Sequence, residues 1–243
     1  MGNAGELETL TVENPMASDP NVTWVLDKGF VRLVDFMGGD QAVVQSARVS
    51  YGGGSKGDER DRKLLNFLMK NHHETPFEHA VFKFHIKCPI FVARQWFRHR
   101  MASYNEISGR YTEFPEEFYI PEKLRAQDTK NKQGSVAVPL SDENKLKDLF
   151  KEAHEKTFKI YHELIKGGVA RELARNVLPV STYTQFYWTV NSRSLMNFLK
   201  LRTGDGAQWE IRQFGEALLV MFEKKMPWTA SAFREFILAT FSH

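Results

Sequence analysis

The densest group of polar side chains in the chain lies between Arg94 and Arg110. The segment begins with the run Arg94-Gln95-Trp96-Phe97-Arg98-His99-Arg100, and its further polar residues are Ser103, Asn105, Glu106, Ser108 and Arg110. Guanidinium groups bind phosphate oxygens through two parallel hydrogen bonds, and backbone N–H groups of a loop add further donors. The Glu106 carboxylate adds an acceptor for a ribose hydroxyl or an arginine. The segment therefore predicts an anion-binding site.

Simpler interpretations of this segment stay open on the residues alone. The arginines could form only a basic helix end, because cations are favourable at a helix C-terminus. The consecutive side chains at 98–100 fan out in three directions, however, and one solvated helix face does not take all of them. Ser108 resembles a nucleophile candidate, with His99 the histidine closest in sequence. We favour phosphate binding by Ser108.

The single cysteine, Cys88, stands directly before Pro89 in an alternating pattern. Phe82, Phe84, Ile86 and Cys88 share one face of this pattern, which predicts that the thiol lies in the core. A thiol in apolar surroundings is a poor nucleophile because burial disfavours the thiolate. A thiolate mechanism is thus not favoured. One cysteine cannot form an internal disulfide, which fits a reducing cytoplasm.

A metal-site alternative arises at His73 and Glu74, which open the pattern of a helical zinc site. Phe77 stands where the second histidine is required, and Pro76 would break the helix. We therefore predict no metal. On the residues alone, His73 could equally be a buried structural histidine.

The elements that position these groups follow from periodicity and end signals. Alternating patterns predict a strand or hairpin at 23–34 and strands at 80–88 and 182–190. Helices are predicted from Asp40, as N-cap, to 47; at 58–71; from Pro89, in the first turn, to about 100; from Ser141, as N-cap, to a stop at Gly167-Gly168; and at 170–177, 192–201, 207–225 and 231–240. Loops are predicted at 52–57, 103–110 and 121–140.

These elements predict an α+β fold. We expect a single domain at 23–243 with an antiparallel sheet, flanking helices and a helix-rich C-terminal half, preceded by a flexible N-terminal arm at 1–22. The strands and helices are segregated along the chain, which argues against alternating βαβ units. Trp96, Trp188 and Trp209 are predicted to be core residues.

Composition excludes several classes of protein. The net charge of +3 is too small to indicate nucleic-acid binding by itself. No apolar run approaches the roughly 20 residues that cross a bilayer. The N-terminal residues are polar and acidic and do not resemble a signal peptide. We therefore expect a cytoplasmic protein with no membrane and no nucleic-acid partner.

Four motifs resemble those of flavin-dependent thymidylate synthases. The segment Arg98-His99-Arg100-x-x-Ser103-x-Asn105-Glu106-x-Ser108-x-Arg110 matches the family signature RHRxxSxNExSxR at every specified position. The others are HETPFEH at 73–79, NSRSLMNF at 191–198, which resembles NxRSLxNF, and Leu201-Arg202 followed by AQWEI at 207–211. The resemblance covers most of the chain apart from its two ends.

The resemblance implies a methyltransferase that converts dUMP to dTMP by reductive methylation. It implies FAD as the cofactor, 5,10-methylenetetrahydrofolate as the carbon donor and NADPH as the reductant. It also implies a homotetramer whose active sites are shared between subunits. A flavin-driven route needs no cysteine thiolate, in agreement with the core position predicted for Cys88.

The resemblance also implies roles for individual residues. FAD would be held by His73, Thr75, Arg98, His99, Arg100, Glu106, Asn191, Ser192, Arg193 and Asn197. The nucleotide dUMP would be bound by Gln95, Trp96, Phe97, Arg98, Glu106, Ile107, Ser108, Gly109, Arg110, Arg175 and Arg202. Arg202 matches the catalytic arginine, whose guanidinium would stabilise the anionic uracil ring while staying protonated. Asn191 could equally be only the N-cap of the helix that follows.

The sequence departs from the family pattern at one position, and two alternative functions stay open. Gly206 stands where many relatives carry a histidine, so no role is assigned to residues 203–206. A uracil methylase acting on RNA would need a larger basic surface and a groove of stacking aromatics. A non-catalytic flavin- or nucleotide-binding protein would use the arginines only to capture phosphate. The presence of Arg202 argues against that second rival.

Overall fold

The computed structural model describes residues 19–241, and a five-stranded antiparallel sheet lies at its centre. The strands are β1 (Val22–Val25), β2 (Gly29–Met37), β3 (Val81–Pro89), β4 (Ser103–Glu106) and β7 (Tyr183–Asn191), in the spatial order β1-β2-β3-β7-β4. A separate two-stranded sheet pairs β5 (Ala126–Gln127) with β6 (Ser135–Val136). The predicted antiparallel sheet is confirmed.

Helices make up most of the remaining structure. They are α1 (Asp40–Arg48), α2 (Asp58–Lys70), α3 (Ile90–Trp96), α4 (Glu143–Lys166), α5 (Arg171–Ala174), α6 (Ser192–Arg202), α7 (Trp209–Lys225), α8 (Pro227–Phe233) and α9 (Ala239–Phe241). Short 3₁₀ helices occupy Val49–Tyr51, Thr75–His79 and Arg175–Val177, and a π-helical turn occupies Arg234–Leu238. The α+β class and the helix-rich C-terminal half are confirmed.

The core lies on one face of the sheet, as the alternation in β3 predicts. Phe82, Phe84, Ile86 and Cys88 are fully buried there. Phe222 of α7 contacts Phe82, with 5.9 Å between the ring centroids. Each large apolar side chain buried in this way contributes roughly 1.5–3 kcal/mol to folding. Packing between β3 and the C-terminal helices therefore holds the two halves of the chain together.

Two predicted N-caps are wrong. Gly39 precedes α1, and the Asp40 carboxylate instead accepts from the backbone N–H groups of Trp228 and Thr229, at 2.9 Å each. Asp40 thus satisfies the free donors at the start of α8, a helix distant in sequence. α4 begins at Glu143 rather than at the predicted Ser141, and no side chain caps it.

The region around the arginine cluster differs from the prediction in two ways. α3 ends at Trp96 and not near Arg100, and Pro89 is the last residue of β3 as well as the residue that precedes α3. Ser103–Glu106 is strand β4 and not an irregular loop. The Tyr104 hydroxyl donates to the carbonyl of His99 at 2.7 Å, which anchors the turn between helix and strand.

Further differences lie outside this region. The predicted loop at 121–140 contains the β5–β6 hairpin, and the last helical segment begins at Pro227 rather than at 231. Trp96 and Trp188 are fully buried as predicted, whereas Trp209 is 38% exposed and packs against the Arg125 guanidinium. Of the predicted arm, residues 1–18 lie outside the described residues, and Asp19 forms an ion pair with Arg32.

Within residues 19–241, no helix combines the length and the apolar character needed to span a membrane.

Candidate active site

The ends of α3 and α6 meet at a cleft of about 790 Å³. Residues predicted from the sequence line it: Arg98, His99, Arg100, Asn191, Arg193, Asn197 and Arg202. They come from the turn after α3 and from the whole length of α6. The cleft therefore joins two of the sequence motifs, one on each side.

The remaining wall of the cleft is largely apolar. Leu68, Met69, Phe77, Val190, Met196, Phe233 and Ile237 contribute to it. An apolar wall beside several guanidinium groups suits a ligand with a flat ring and an anionic part, because the two portions need opposite environments. α2 and the C-terminal helical segment supply much of this wall. Neither was expected at the site from the sequence.

Arg202, the last residue of α6, is bound to the end of α3. Its Nε donates to Nε2 of His99 at 3.0 Å, and its NH2 donates to the backbone carbonyl of Gln95 at 3.2 Å. The last carbonyls of a helix lack partners within the helix and attract cations. Burial lowers the pKa of the Arg202 guanidinium, which nevertheless stays protonated. The remaining N–H groups are available to a ligand in the cleft.

His99 is neutral in this arrangement. Burial and the neighbouring Arg202 guanidinium lower the pKa of the imidazole to about 4. Because Nε2 accepts from Arg202, the proton of the neutral ring lies on Nδ1. The ring also packs against Phe198, with 4.7 Å between centroids. His99 is thus held as an acceptor that orients Arg202.

The other arginines of the cleft fall into two groups. Arg193 is bound to two carboxylates at the rim, with 2.8 Å to Glu74 and 2.5 Å to Glu78. Arg98 and Arg100 are exposed, and no carboxylate within the described part of the chain pairs with either. These two arginines therefore have their guanidinium groups free for anion binding.

The asparagines of α6 have distinct environments. The side chain of Asn191 accepts from the backbone N–H of Ser194 at 2.8 Å, so it is the N-cap of α6, as considered above. It also lines the cleft, and so does the exposed Asn197. Ser192 is fully buried and donates to the carbonyl of Phe77. Its hydroxyl fastens α6 to the turn that follows α2.

Besides the buried Ser192, three predicted cofactor residues lie outside the cleft lining. His73 and Thr75 are exposed, and the His73 ring contacts Phe67 with 5.6 Å between centroids. Glu106 lies on β4 and accepts from the hydroxyl of Thr184 at 2.6 Å. Within a single chain, these three residues therefore do not share the cleft with Arg202.

A second polar cluster forms after β4. Gly109 is buried, and a Cβ there would lie 2.3 Å from the Phe114 ring and 3.1 Å from the Arg175 side chain. Only glycine permits this close approach, which brings Arg175 beside the backbone at 109. The Ser108 hydroxyl accepts from the backbone N–H of Arg110 at 3.3 Å. Arg110 is paired with the exposed Glu172 at 3.0 Å. None of the predicted residues 108–110 or Arg175 lines the 790 Å³ cleft.

The remaining predicted substrate residues are Gln95, Trp96 and Phe97, directly before the cleft arginines, and Ile107, directly before the second cluster. The Gln95 amide donates to the side chain of Gln208 at 2.5 Å, while Trp96 packs fully buried in the core. Phe97 contacts the ring of Tyr104, and Ile107 continues from β4 with its N–H bonded to the carbonyl of Gln185 at 2.9 Å. The Trp96 side chain is therefore inaccessible to a ligand.

Nucleophile and metal alternatives gain no support from the geometry. Cys88 is fully buried, and burial raises the pKa of its thiol well above the ordinary value. No histidine in the described part of the chain is bonded to the Ser108 hydroxyl, which would be needed to activate it. Between Asp19 and Phe241, no cluster of three or more His, Cys, Asp or Glu side chains is arranged to hold a metal ion.

Gly206, which stands where many relatives carry a histidine, faces open space. A Cβ placed there would have no heavy atom within 4 Å.

Some residues at the site were not expected from the sequence. His72 and Lys200 line the cleft. Glu210 is buried and linked to Gln95 through Gln208. The sequence contained a signal for the burial of Glu210, because this residue lies four positions before Phe214 and therefore on the same buried face of α7. A charged residue on an apolar helix face requires buried partners.

Fold and site together define an α+β protein with a cationic cleft suited to a phosphorylated ligand that carries a flat ring. The model of the thymidylate synthase complementing protein family matches residues 32–228, so the chain belongs to that family. A flavin-dependent thymidylate synthase of Thermosipho africanus is 56% identical over 216 residues, which are 87% of this chain and 93% of that protein. One from Thermus thermophilus is 53% identical over 214 residues, covering 88% of this chain and 78% of the relative.

Solved structures agree with this assignment. The UMP/dUMP methylase PolB from Streptomyces cacaoi, bound with 5-Br UMP, has a TM-score of 0.80 and 37% identity to this chain. The match covers 90% of this chain and 99% of PolB. The same enzyme bound with 5-Br dUMP gives a TM-score of 0.81 and 35% identity, with 89% and 99% covered.

Proposed function

We propose that this chain is a flavin-dependent thymidylate synthase that methylates dUMP to dTMP. The observation that carries the proposal is the bond between Arg202 and neutral His99 at the end of a cleft with unpaired arginines. The relatives reported above bear the name of this activity, and PolB is described as a UMP/dUMP methylase. FAD is the proposed flavin, 5,10-methylenetetrahydrofolate the carbon donor and NADPH the reductant.

The cleft fits the chemistry of FAD. Arg98 and Arg100 offer guanidinium groups to a pyrophosphate, and Asn197 offers an amide to polar ring edges. The apolar wall with Met69 and Met196 suits a planar ring system. When bound, FAD supplies hydride transfer, which lets the reaction proceed without an enzyme thiolate.

Arg202 is the residue we propose for substrate activation. Its guanidinium is oriented by His99 and by the Gln95 carbonyl, which leaves N–H donors directed away from both. Donors held in place before the substrate arrives stabilise negative charge on a pyrimidine ring without reorganisation. Partial burial strengthens this effect because the local dielectric is lower than in water.

The phosphate of dUMP is proposed to bind at the second cluster. Ser108 and Arg110 supply a hydroxyl, a guanidinium and backbone N–H groups beside Arg175. Because this cluster does not line the cleft of its own chain, we propose that another subunit supplies it. A homotetramer with shared active sites provides such an arrangement. His73, Thr75 and Glu106 would join the cofactor in the same way.

The test is turnover by the purified protein with dUMP, 5,10-methylenetetrahydrofolate and NADPH. We expect a yellow protein with flavin absorption bands and a nucleotide product in which a methyl group has replaced one hydrogen of the uracil ring. Parallel assays with UMP and with uracil-containing RNA distinguish a dUMP methylase from a UMP methylase and from an RNA methylase. A colourless protein that takes up no FAD, or a flavoprotein that consumes NADPH without forming dTMP, would overturn the proposal.

A further inference from the structure

A polar network links Arg202 to a buried carboxylate on α7. Glu210 is 1% exposed, and its carboxylate accepts from Arg125 at 2.6 Å, from Gln208 at 2.9 Å and from the Tyr119 hydroxyl at 3.3 Å. Gln208 in turn accepts from the Gln95 amide at 2.5 Å. The backbone of Gln95 binds Arg202. The network thus ends at two proposed substrate residues.

The carboxylate imposes a direction on these hydrogen bonds. An ionised carboxylate only accepts, so the side chain of Gln208 must turn its NH2 group towards Glu210. Its carbonyl oxygen then faces Gln95, and the Gln95 side chain must turn its own NH2 group towards that oxygen. A glutamine amide alone has no such preference, because its two ends are similar in shape. A charge that does not touch the ligand therefore sets the orientation of Gln95.

We infer that Glu210 is a positioning residue for nucleotide binding. It holds the Gln208 and Gln95 amides in one orientation, so that Gln95 presents the same carbonyl oxygen and the same second N–H to the substrate. The position at the start of α7 favours the carboxylate, and Arg125 balances its charge. The inference rests on the proposed function, because it assigns Gln95 to the dUMP site.

The primary experiment is Glu210→Gln, followed by steady-state kinetics with dUMP as the varied substrate. A glutamine at 210 both donates and accepts, so both amides gain a second orientation. We expect the KM for dUMP to rise about three- to tenfold, since one hydrogen bond to the ligand is lost part of the time. We expect kcat and the flavin absorption spectrum to change little.

Two further variants distinguish an effect on the direction of the hydrogen bonds from an effect on folding. In the double variant Glu210→Gln with Gln208→Glu, the carboxylate lies one step nearer to Gln95 and still only accepts, so the KM should return close to the wild-type value. Gln208→Leu, at an exposed position, removes the link without stranding a buried charge and should raise the KM as Glu210→Gln does. Glu216→Gln, on the exposed face of the same helix, is the matched control.

The outcomes are distinct. A wild-type KM in both Glu210→Gln and Gln208→Leu overturns the inference, and so does a double variant that folds normally but keeps the raised KM. If Glu210→Gln fails to fold, Gln208→Leu and the double variant still decide the matter. A wild-type protein that makes no dTMP overturns the proposed function itself, and that result is visible before any variant is measured.

Discussion

Nε of Arg202 donates to Nε2 of His99 across 3.0 Å, although the two residues are 103 positions apart in the chain. This bond requires an imidazole without a proton on Nε2. A protonated His99 would place two cations in contact and would release Arg202. The protonation state of His99 therefore controls the geometry of the proposed catalytic arginine.

His99 is expected to stay neutral throughout the physiological pH range. Its pKa of about 4 in the folded protein lies below the ordinary value of 6.5. The unfolded chain therefore binds the proton more tightly, and the contribution of His99 to the free energy of unfolding is lost as the pH falls from 6.5 to 4. An NMR titration of the His99 ring should show no protonation above pH 6. A midpoint near 6.5 would contradict this.

A second variant extends the pH experiment. His99→Gln keeps an acceptor but does not titrate in this range. The difference in melting temperature between wild type and His99→Gln should shrink as the pH is lowered from 6.5 to 4.5. A difference independent of pH would show that the pKa of His99 is the same in the folded and unfolded protein.

Arg202→Lys is expected to reduce kcat strongly while the protein stays folded. A lysine keeps the charge but loses the fork that binds His99, Gln95 and the substrate together. We expect a loss of about 10²–10³ in kcat, as is typical when one preorganised donor to a developing anion is removed. Arg212→Lys, whose partner is the exposed Asp205, is the matched control. Comparable activity in both variants would refute the role of Arg202.

Shared active sites predict complementation between two inactive variants. Arg175→Ala damages the proposed phosphate cluster, and Arg202→Ala damages the cleft. Co-expressed chains with different tags should recover about a quarter of the wild-type activity, since random choice of two chains leaves one site in four intact. Purification through both tags isolates the mixed assemblies. No recovery in these assemblies would mean that both residues act on the same chain.

Cys88→Ala is expected to keep kcat and KM for dUMP. The thiol is fully buried in the sheet core and lies outside the cleft lining. Removing the sulfur leaves a small cavity, which should lower the free energy of unfolding by about 1–2 kcal/mol. Chemical denaturation and the dTMP assay measure the two effects. Loss of turnover in a folded variant would point to a thiol mechanism instead.

The sequence by itself determined the local elements and the family. The alternation of Phe82, Phe84 and Ile86 predicted the buried face of β3, because side chains of a strand alternate between two environments. Helical periodicity predicted α2, α4, α6 and α7 to within a few residues. Arg98 and Arg202 were predicted as site residues by their motifs, and both line the same cleft.

Only the tertiary structure decided which distant groups meet. β4 is a strand because it pairs with the edge of β7, and its residues Ser103–Glu106 carry little strand signal of their own. Asp40 caps α8 rather than α1, and His99 becomes a neutral acceptor only beside Arg202 and Phe198. Periodicity reports local environment, whereas contacts between residues far apart in sequence depend on how the elements pack. For this reason the sequence predicted the site residues, while packing set the orientation of Arg202 and the protonation state of His99.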